Sequence, residues 1–164
     1  MGEPIRVMLD TNIYGLIANE ADPETLVEAI ANSNVLVCGS KVVRNELRKI
    51  PNLKNEKARK LRSDVLKYYN VLVKGKRDYQ VNRLIQELAE EYRKSYAKSG
   101  SEGLKNDFLI VATASIHQVK IVCSDDEKTM KSAEARKSYS EANSKFEIPK
   151  PEFISLKEFK QLIR

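Results

Sequence analysis

Ile5-Arg6-Val7-Met8-Leu9-Asp10-Thr11-Asn12 is the stretch whose reading decides the fold. A short, mostly apolar run ends abruptly in a carboxylate, and Ile13 to Ala18 then begins a helix, so the segment reads as strand, turn, helix. The same grammar recurs down the chain. Val35-Leu36-Val37-Cys38 passes through Gly39 to Ser40, an N-cap for a helix that sends Val42, Val43 and Leu47 inward until Pro51 stops it. Val119 to Ser124 is another strand, ending at Asp125, and Phe153-Ile154-Ser155 is a last short one before a terminal helix with Leu156, Phe159 and Ile163.

Helices fill the intervals. Asp22 caps one that has Pro23 at its first position and Leu26, Val27 and Ile30 on its apolar side. Asn55 to Tyr68 reads as a basic helix, and Val71-Leu72-Val73 as a short strand. Val81, Leu84, Ile85, Leu88, Ala89, Tyr92 and Tyr96 share one face of a long helix that ends before the break Ser99-Gly100-Ser101-Glu102-Gly103. Phe108 to Ala114 suits either a buried strand or a buried helix. Its extension to His117 and its alanines, Ala112 and Ala114, favour helix. The βα alternation predicts a three-layer α/β/α fold with a central, mostly parallel sheet, in one domain spanning residues 1–164.

Four acids fall at telling places in that scheme. Asp10 and Asp125 end two strands, Glu46 lies within the first two turns of the helix after Ser40, and Asp107 opens the apolar stretch from Phe108. In open α/β sheets ligands bind at the carboxyl ends of strands, so one crevice can gather all four. Like charges at close range drive protons back on, and a divalent ion reverses that penalty. The cluster therefore reads as a magnesium or manganese site. Ordinary capping competes with this reading at Asp10, Ser40 and Asp107, and a simple turn competes at Asp125-Asp126. Glu46 stands mid-helix between Val43 and Leu47, so it is a solvated face residue or a ligand.

Composition narrows the partners. No apolar run approaches the roughly 18 residues of a membrane span, and Met1-Gly2-Glu3-Pro4 shows no signal-peptide pattern, which predicts a cytoplasmic protein without membrane contact. Cys38 and Cys123 lie at the ends of apolar runs and read as buried free thiols. Residues 1–40 carry one basic and six acidic side chains, whereas residues 41–76 carry twelve basic and three acidic, a block of net +9. Lys41, Arg44, Arg48, Lys49, Lys54, Lys57, Arg59, Lys60, Arg62 and Lys67 fall on two helices there. Beside an acidic metal site such a block suits a polyanion that reaches the metal through its phosphates. His117 is the single histidine, which leaves no imidazole acid–base pair for metal-free phosphodiester chemistry.

These motifs together resemble the PIN-domain family of metal-dependent ribonucleases, which includes the VapC-type toxins of toxin–antitoxin pairs. Val7-Met8-Leu9-Asp10-Thr11-Asn12 looks like the family's opening motif, and Ser40 followed six residues later by Glu46 is similar to its second. Asn106-Asp107-Phe108-Leu109-Ile110-Val111-Ala112-Thr113-Ala114 matches the third. Val122-Cys123-Ser124-Asp125 occupies the fourth, with Cys123 where the family usually has threonine, and Asp126 adjacent makes either aspartate the metal-facing one.

The resemblance implies an endoribonuclease that uses Mg2+ or Mn2+ on Asp10, Glu46, Asp107 and Asp125 or Asp126, with Thr11, Asn12, Ser40, Asn106 and Ser124 supporting them. It further implies 5′-phosphate and 3′-hydroxyl products, a homodimer, and an antitoxin protein as a possible partner seated between the first and second helical regions. An RNA-maturation nuclease and a non-catalytic RNA-binding or assembly module are the alternatives. Other chemistries fit less well: a haloacid-dehalogenase phosphatase needs an aspartate where Asn12 stands, and a response-regulator receiver needs one on its third strand, where Val71-Leu72-Val73 has none.

Overall fold

The structure, a computed structural model, describes residues 2–49, 55–97 and 100–163. Five parallel strands form its centre: β1 (Ile5–Leu9), β2 (Val35–Ser40), β3 (Asp78–Tyr79), β4 (Ile121–Cys123) and β5 (Glu152–Ile154), in the spatial order β3-β2-β1-β4-β5. Val7 pairs with Val37 on one side and Ile121 on the other, and Met8 with Cys38 and Val122. Val7, Met8 and Leu9 are fully buried. A parallel sheet covered on both faces requires this, which is why its strands read as continuous apolar runs rather than alternations.

Eight helices surround the sheet among the described residues: α1 (Thr11–Ala18), α2 (Pro23–Ala31), α3 (Lys41–Arg48), α4 (Glu56–Leu72), α5 (Arg83–Ser95), α6 (Lys105–Ile116), α7 (Ala133–Lys145) and α8 (Leu156–Leu162). One layer is α1, α2 and α4 packed together; the other is α5 with α6 and α7. The second layer is held by edge-on aromatic contacts, with the Tyr92 ring 4.9 Å from Tyr139 and 6.0 Å from Phe108. Such pairs add about 0.5–1.5 kcal/mol each beyond the area they bury. The three-layer arrangement matches the sequence expectation.

Two local readings need correction. Val71 and Leu72 are not strand but the last turn of α4, which runs on past Tyr68 because Tyr68, Tyr69 and Leu72 continue its buried stripe. The third strand is Asp78–Tyr79 instead, so β3 does carry an acid. A receiver is excluded on different ground: its strand order is 2-1-3-4-5, whereas this sheet runs β3-β2-β1-β4-β5. The second correction is α7, which no apolar period announced. Its buried face is Ala135, Ser138, Tyr139, Ala142 and Asn143, small and polar positions that hydropathy passes over. Asn143 is satisfied there by the Tyr92 hydroxyl at 2.5 Å, Ser115 at 3.0 Å and the Pro149 carbonyl at 3.2 Å. Pro51 and Ser99, read as breaks, lie outside the described residues.

β2 and β3 lie to one side of β1, β4 and β5 to the other. The order thus reverses between β1 and β4, and the cleft beyond their carboxyl ends is where this architecture places a ligand.

Candidate active site

Asp10 is the first residue after β1. Its backbone is extended, its carboxylate accepts from the Thr11 amide at 2.7 Å and caps α1, and the Ser124 hydroxyl donates to its other oxygen at 2.8 Å. Ser124 is the residue after β4, so this bond crosses the cleft. Asp10 is only 5% exposed. Burial, reinforced by the charges of Glu46 and Asp126 and only partly offset by the two hydrogen bonds, pushes its pKa from 3.8 up to about 6. The residue that looked like a cap is a cap, and it is also a buried acid that no cation pairs among the described residues.

The other acids arrive from three separate elements. Glu46 on α3 accepts from the Thr11 hydroxyl at 2.6 Å and from the Asn106 side-chain amide at 3.3 Å. Asp107, in the first turn of α6, has its pKa raised from 3.8 to about 7 by burial and by the charges of Asp10, Asp126 and Glu46, against a hydrogen bond from Thr129. Asp126 follows β4, and its amide donates to the Ser124 hydroxyl at 3.1 Å. Its carboxylate accepts from the amides of Lys128 and Thr129 at 3.2 and 3.0 Å, and from the Thr129 hydroxyl.

Asp125 goes elsewhere. It is exposed, and its Oδ1 accepts from the Leu156 amide at 2.9 Å, bracing β4 to the start of α8. The charges that raise Asp10 and Asp107 include Asp126 and Glu46. The structure thus brings Asp10, Glu46, Asp107 and Asp126 together. Of the supporting residues, Thr11, Asn106 and Ser124 bond to these acids directly. Ser40 instead caps α3 at the Val42 amide, 3.1 Å away, and its carbonyl accepts from Tyr69; Asn12 is exposed at the start of α1. Sequence reasoning missed Thr129. The spacing Asp126-x-x-Thr129 is the signal that could have found it, since an aspartate that caps its own following turn favours a hydroxyl there.

The basic residues divide in the same way. Arg44 is drawn inward: its guanidinium meets the Asp78 carboxylate at 2.5 Å, Asn70 at 2.9 Å, and lies 4.7 Å over the Tyr69 ring. Lys60 is paired with Asp64 at 2.7 Å and Lys67 with Glu24 at 3.1 Å. Lys41, Arg48, Lys49, Lys57 and Arg59 are exposed and Arg62 half-buried, and among the described residues no ion pair engages them. Lys54 lies outside the described residues. Lys49, the C-cap of α3, follows Glu46 by three residues, and its amide donates to the Glu46 carbonyl at 3.1 Å.

The PIN domain family model matches residues 7–135. The chain belongs to the PIN domain family. PIN domains are generally nucleases, and they generally use divalent metals. Among solved structures the chain is similar to VapBC2 from Rickettsia felis, crystallised bound to a DNA fragment from their promoter, at 18% identity over 92% of this chain and 98% of that one, with a TM-score of 0.58. It is also similar to FitAcB from Neisseria gonorrhoeae, at 19% identity over 90% of this chain and 96% of that one, with a TM-score of 0.57. At such identities the likeness is one of fold. No curated protein matches the chain.

The PIN cleft fits a divalent ion in the kind of its donors. Four carboxylates from four elements face the cleft, and among the described residues no ion pair engages any of them, a hard-oxygen set suited to Mg2+ or Mn2+. Among the described residues no three His, Cys, Asp or Glu side chains stand close enough to hold an ion as placed. The acids are within electrostatic reach of one another rather than closed into a cage. Among the described residues no helix is long and apolar enough to cross a membrane.

Proposed function

We propose that this PIN domain is an endoribonuclease, hydrolysing RNA phosphodiester bonds with Mg2+ or Mn2+ held by Asp10, Glu46, Asp107 and Asp126. The observation that carries the reading is the convergence of four uncompensated carboxylates on the β1/β4 switch point, with Asp10 and Asp107 pushed toward neutral pKa values. A bound ion would lower the pKa of a coordinated water and neutralise charge on the phosphate. The chain's own groups do the rest. Ser124 and the Thr11 amide aim Asp10, Thr11 and Asn106 aim Glu46, and the unpaired cations of α3 and α4 hold the phosphate backbone without reading sequence.

Likeness to VapBC2 and FitAcB, which are toxin–antitoxin complexes, supports a toxin-like role with an antitoxin protein as partner, and the resemblance to the PIN family adds a homodimer as the expected working unit. Co-expression with the product of a neighbouring small gene tests the partnership. Cleavage of mixed RNA with Mg2+, with Mn2+ and in excess chelator tests the activity, with single-stranded DNA as the control. Cleavage with either ion and none in chelator is expected. Full cleavage in chelator, or preference for the DNA, overturns the reading. RNA affinity should also fall steeply with salt, because each neutralised phosphate releases counterions.

A further inference from the structure

We propose that Lys131 is a positioning residue: its buried ammonium fixes the direction in which the chain leaves β4, and so which of Asp125 and Asp126 turns to the cleft. The inference rests on the nuclease reading above. A lysine ordinarily keeps its ammonium in water. The Lys131 side chain is 4% exposed; its ammonium donates to the Ser124 carbonyl at 2.8 Å and pairs with Glu127 at 2.8 Å. The Glu127 side chain is 69% exposed, so water can replace the lysine there. Ser124 is fully buried, which makes its carbonyl the partner that matters. The Asp-x-x-Thr turn at Asp126 is not what sets this segment apart, since Asp22 and Thr25 make one at the exposed start of α2.

Ser124 is the first residue past β4, and each of its polar groups is engaged. Its amide donates to the Ile154 carbonyl of β5 at 2.9 Å, and its hydroxyl donates to Asp10 at 2.8 Å and accepts from the Asp126 amide at 3.1 Å. The remaining group, the carbonyl, shares one planar peptide unit with the Asp125 amide. Holding it fixes the rotation of that plane, and with it the paths of the next two residues. Asp125 then reaches the Leu156 amide at 2.9 Å, while Asp126 folds back over Ser124. Lys131 is itself immobilised: its amide donates to the Asp126 carbonyl at 2.9 Å, and its carbonyl accepts from the Arg136 guanidinium of α7 at 2.9 Å. Next to it, the Met130 carbonyl accepts from the buried Tyr139 hydroxyl at 2.9 Å. The clamp therefore runs from the core helix α7 through Lys131 to the peptide that aims the acids.

The test uses the full chain with Lys131→Met, which keeps the length of the stem and removes the donor, and with Glu127→Gln as the control for the ion pair. Amide hydrogen exchange is followed residue by residue without metal or RNA, and kcat and KM are measured for RNA cleavage with Mn2+. Lys131→Met should speed exchange at the Asp126 and Leu156 amides, whose acceptors depend on the clamp. It should lower kcat by about 10–100-fold, the scale of a misplacement near 1 Å. KM should stay at the wild-type value, because the cations that hold the phosphates are untouched. Glu127→Gln should match wild type in every readout. If Lys131→Met does not fold, Lys131→Gln, uncharged and one bond shorter, serves in its place. Wild-type kcat in the folded variant, a lower kcat with both amides protected as in wild type, or the same losses in Glu127→Gln overturns the proposal and leaves the nuclease reading standing. A wild-type chain that cleaves no RNA removes the nuclease reading, and the proposal with it.

Discussion

Two parts of this molecule hold partly buried aspartates, and they treat them in opposite ways. At the β3 edge, Asp78 is given a guanidinium at 2.5 Å from Arg44 and a phenol at 2.6 Å from Tyr69. At the β1/β4 cleft, Asp10 and Asp107 are given hydroxyls and amides but, among the described residues, no cation. Burial without a counter-charge is costly, and proteins ordinarily avoid it by pairing or by taking on a proton. The β3 edge is an acid neutralised from within, which makes it structure. The cleft leaves its charge for something from outside to neutralise.

The strongest attempt to break this contrast removes the cleft acids. Asp10→Asn and Asp107→Asn should each drop RNA cleavage with Mn2+ below detection, while the metal-free protein melts no lower than wild type because a repelling buried charge has gone. The reverse pattern, a lower melting temperature with cleavage retained, would make Asp10 a helix cap and nothing more. Next in size is the pair at the other site. Arg44→Met leaves Asp78 partly buried beside a thioether, and since both side chains are 23% exposed the loss should be about 1–3 kcal/mol, below the range for a fully buried pair. Urea unfolding measures it, and cleavage should be unaffected. A large fall in cleavage with intact stability would return Arg44 to the RNA-binding surface.

The contrast was only half legible in the sequence. Strand-ending Asp10, capping Ser40 and mid-helix Glu46 could be placed because each sits at the junction of an apolar run and a capping signal, and such junctions survive folding. The parallel sheet followed from the same runs. Whether a cationic side chain points to solvent or to a carboxylate 34 positions away is a tertiary fact, and Arg44 belonged to the basic block on sequence grounds alone. The choice between Asp125 and Asp126 stayed open in the sequence for a related reason: adjacent residues leave a strand in different directions, and the Leu156 amide at the start of α8, which binds Asp125, is a tertiary neighbour. Thr129 and α7 stayed hidden because neither is apolar.

Acidity sharpens the comparison further. Asp10 has its pKa raised to about 6 and Asp107 to about 7, each from 3.8, so between pH 4 and 7 the folded state holds more protons than the unfolded one. The stability this confers is fully present below pH 4 and is lost as pH rises through 6 and 7. For Asp10 alone the shift corresponds to roughly 3 kcal/mol at most. Melting temperature without metal should therefore fall between pH 5 and 8. Mn2+ at pH 8 should restore it, and Asp10→Asn should flatten the slope. A metal-free melting temperature that rises over that range would mean the cleft acids are compensated after all.

The smallest expected effect is the most local, and it separates two neighbouring carboxylates. Asp126 shares the cleft with Asp10 and Asp107, whereas Asp125 accepts one hydrogen bond from the first residue of α8. That helix already has its own cap: Ser155 accepts from the Glu158 amide at 3.1 Å, and the Glu158 carboxylate accepts from the Ser155 amide at 3.1 Å. Asp125→Ala therefore removes an added brace rather than the cap itself. The loss should shift melting by no more than about 4 °C, the change that ~1 kcal/mol produces at this chain length. Cleavage and Mn2+ affinity should remain those of wild type. Asp126→Asn should do the opposite, weakening Mn2+ binding and cleavage with little change in metal-free stability, since the asparagine oxygen still accepts from the Lys128 and Thr129 amides. If the two variants exchange these phenotypes, Asp125 is the metal-facing acid. The segment after β4 must then turn over when the ion binds, and the contrast between a neutralised edge and an open cleft would hold for Asp10, Glu46 and Asp107 alone.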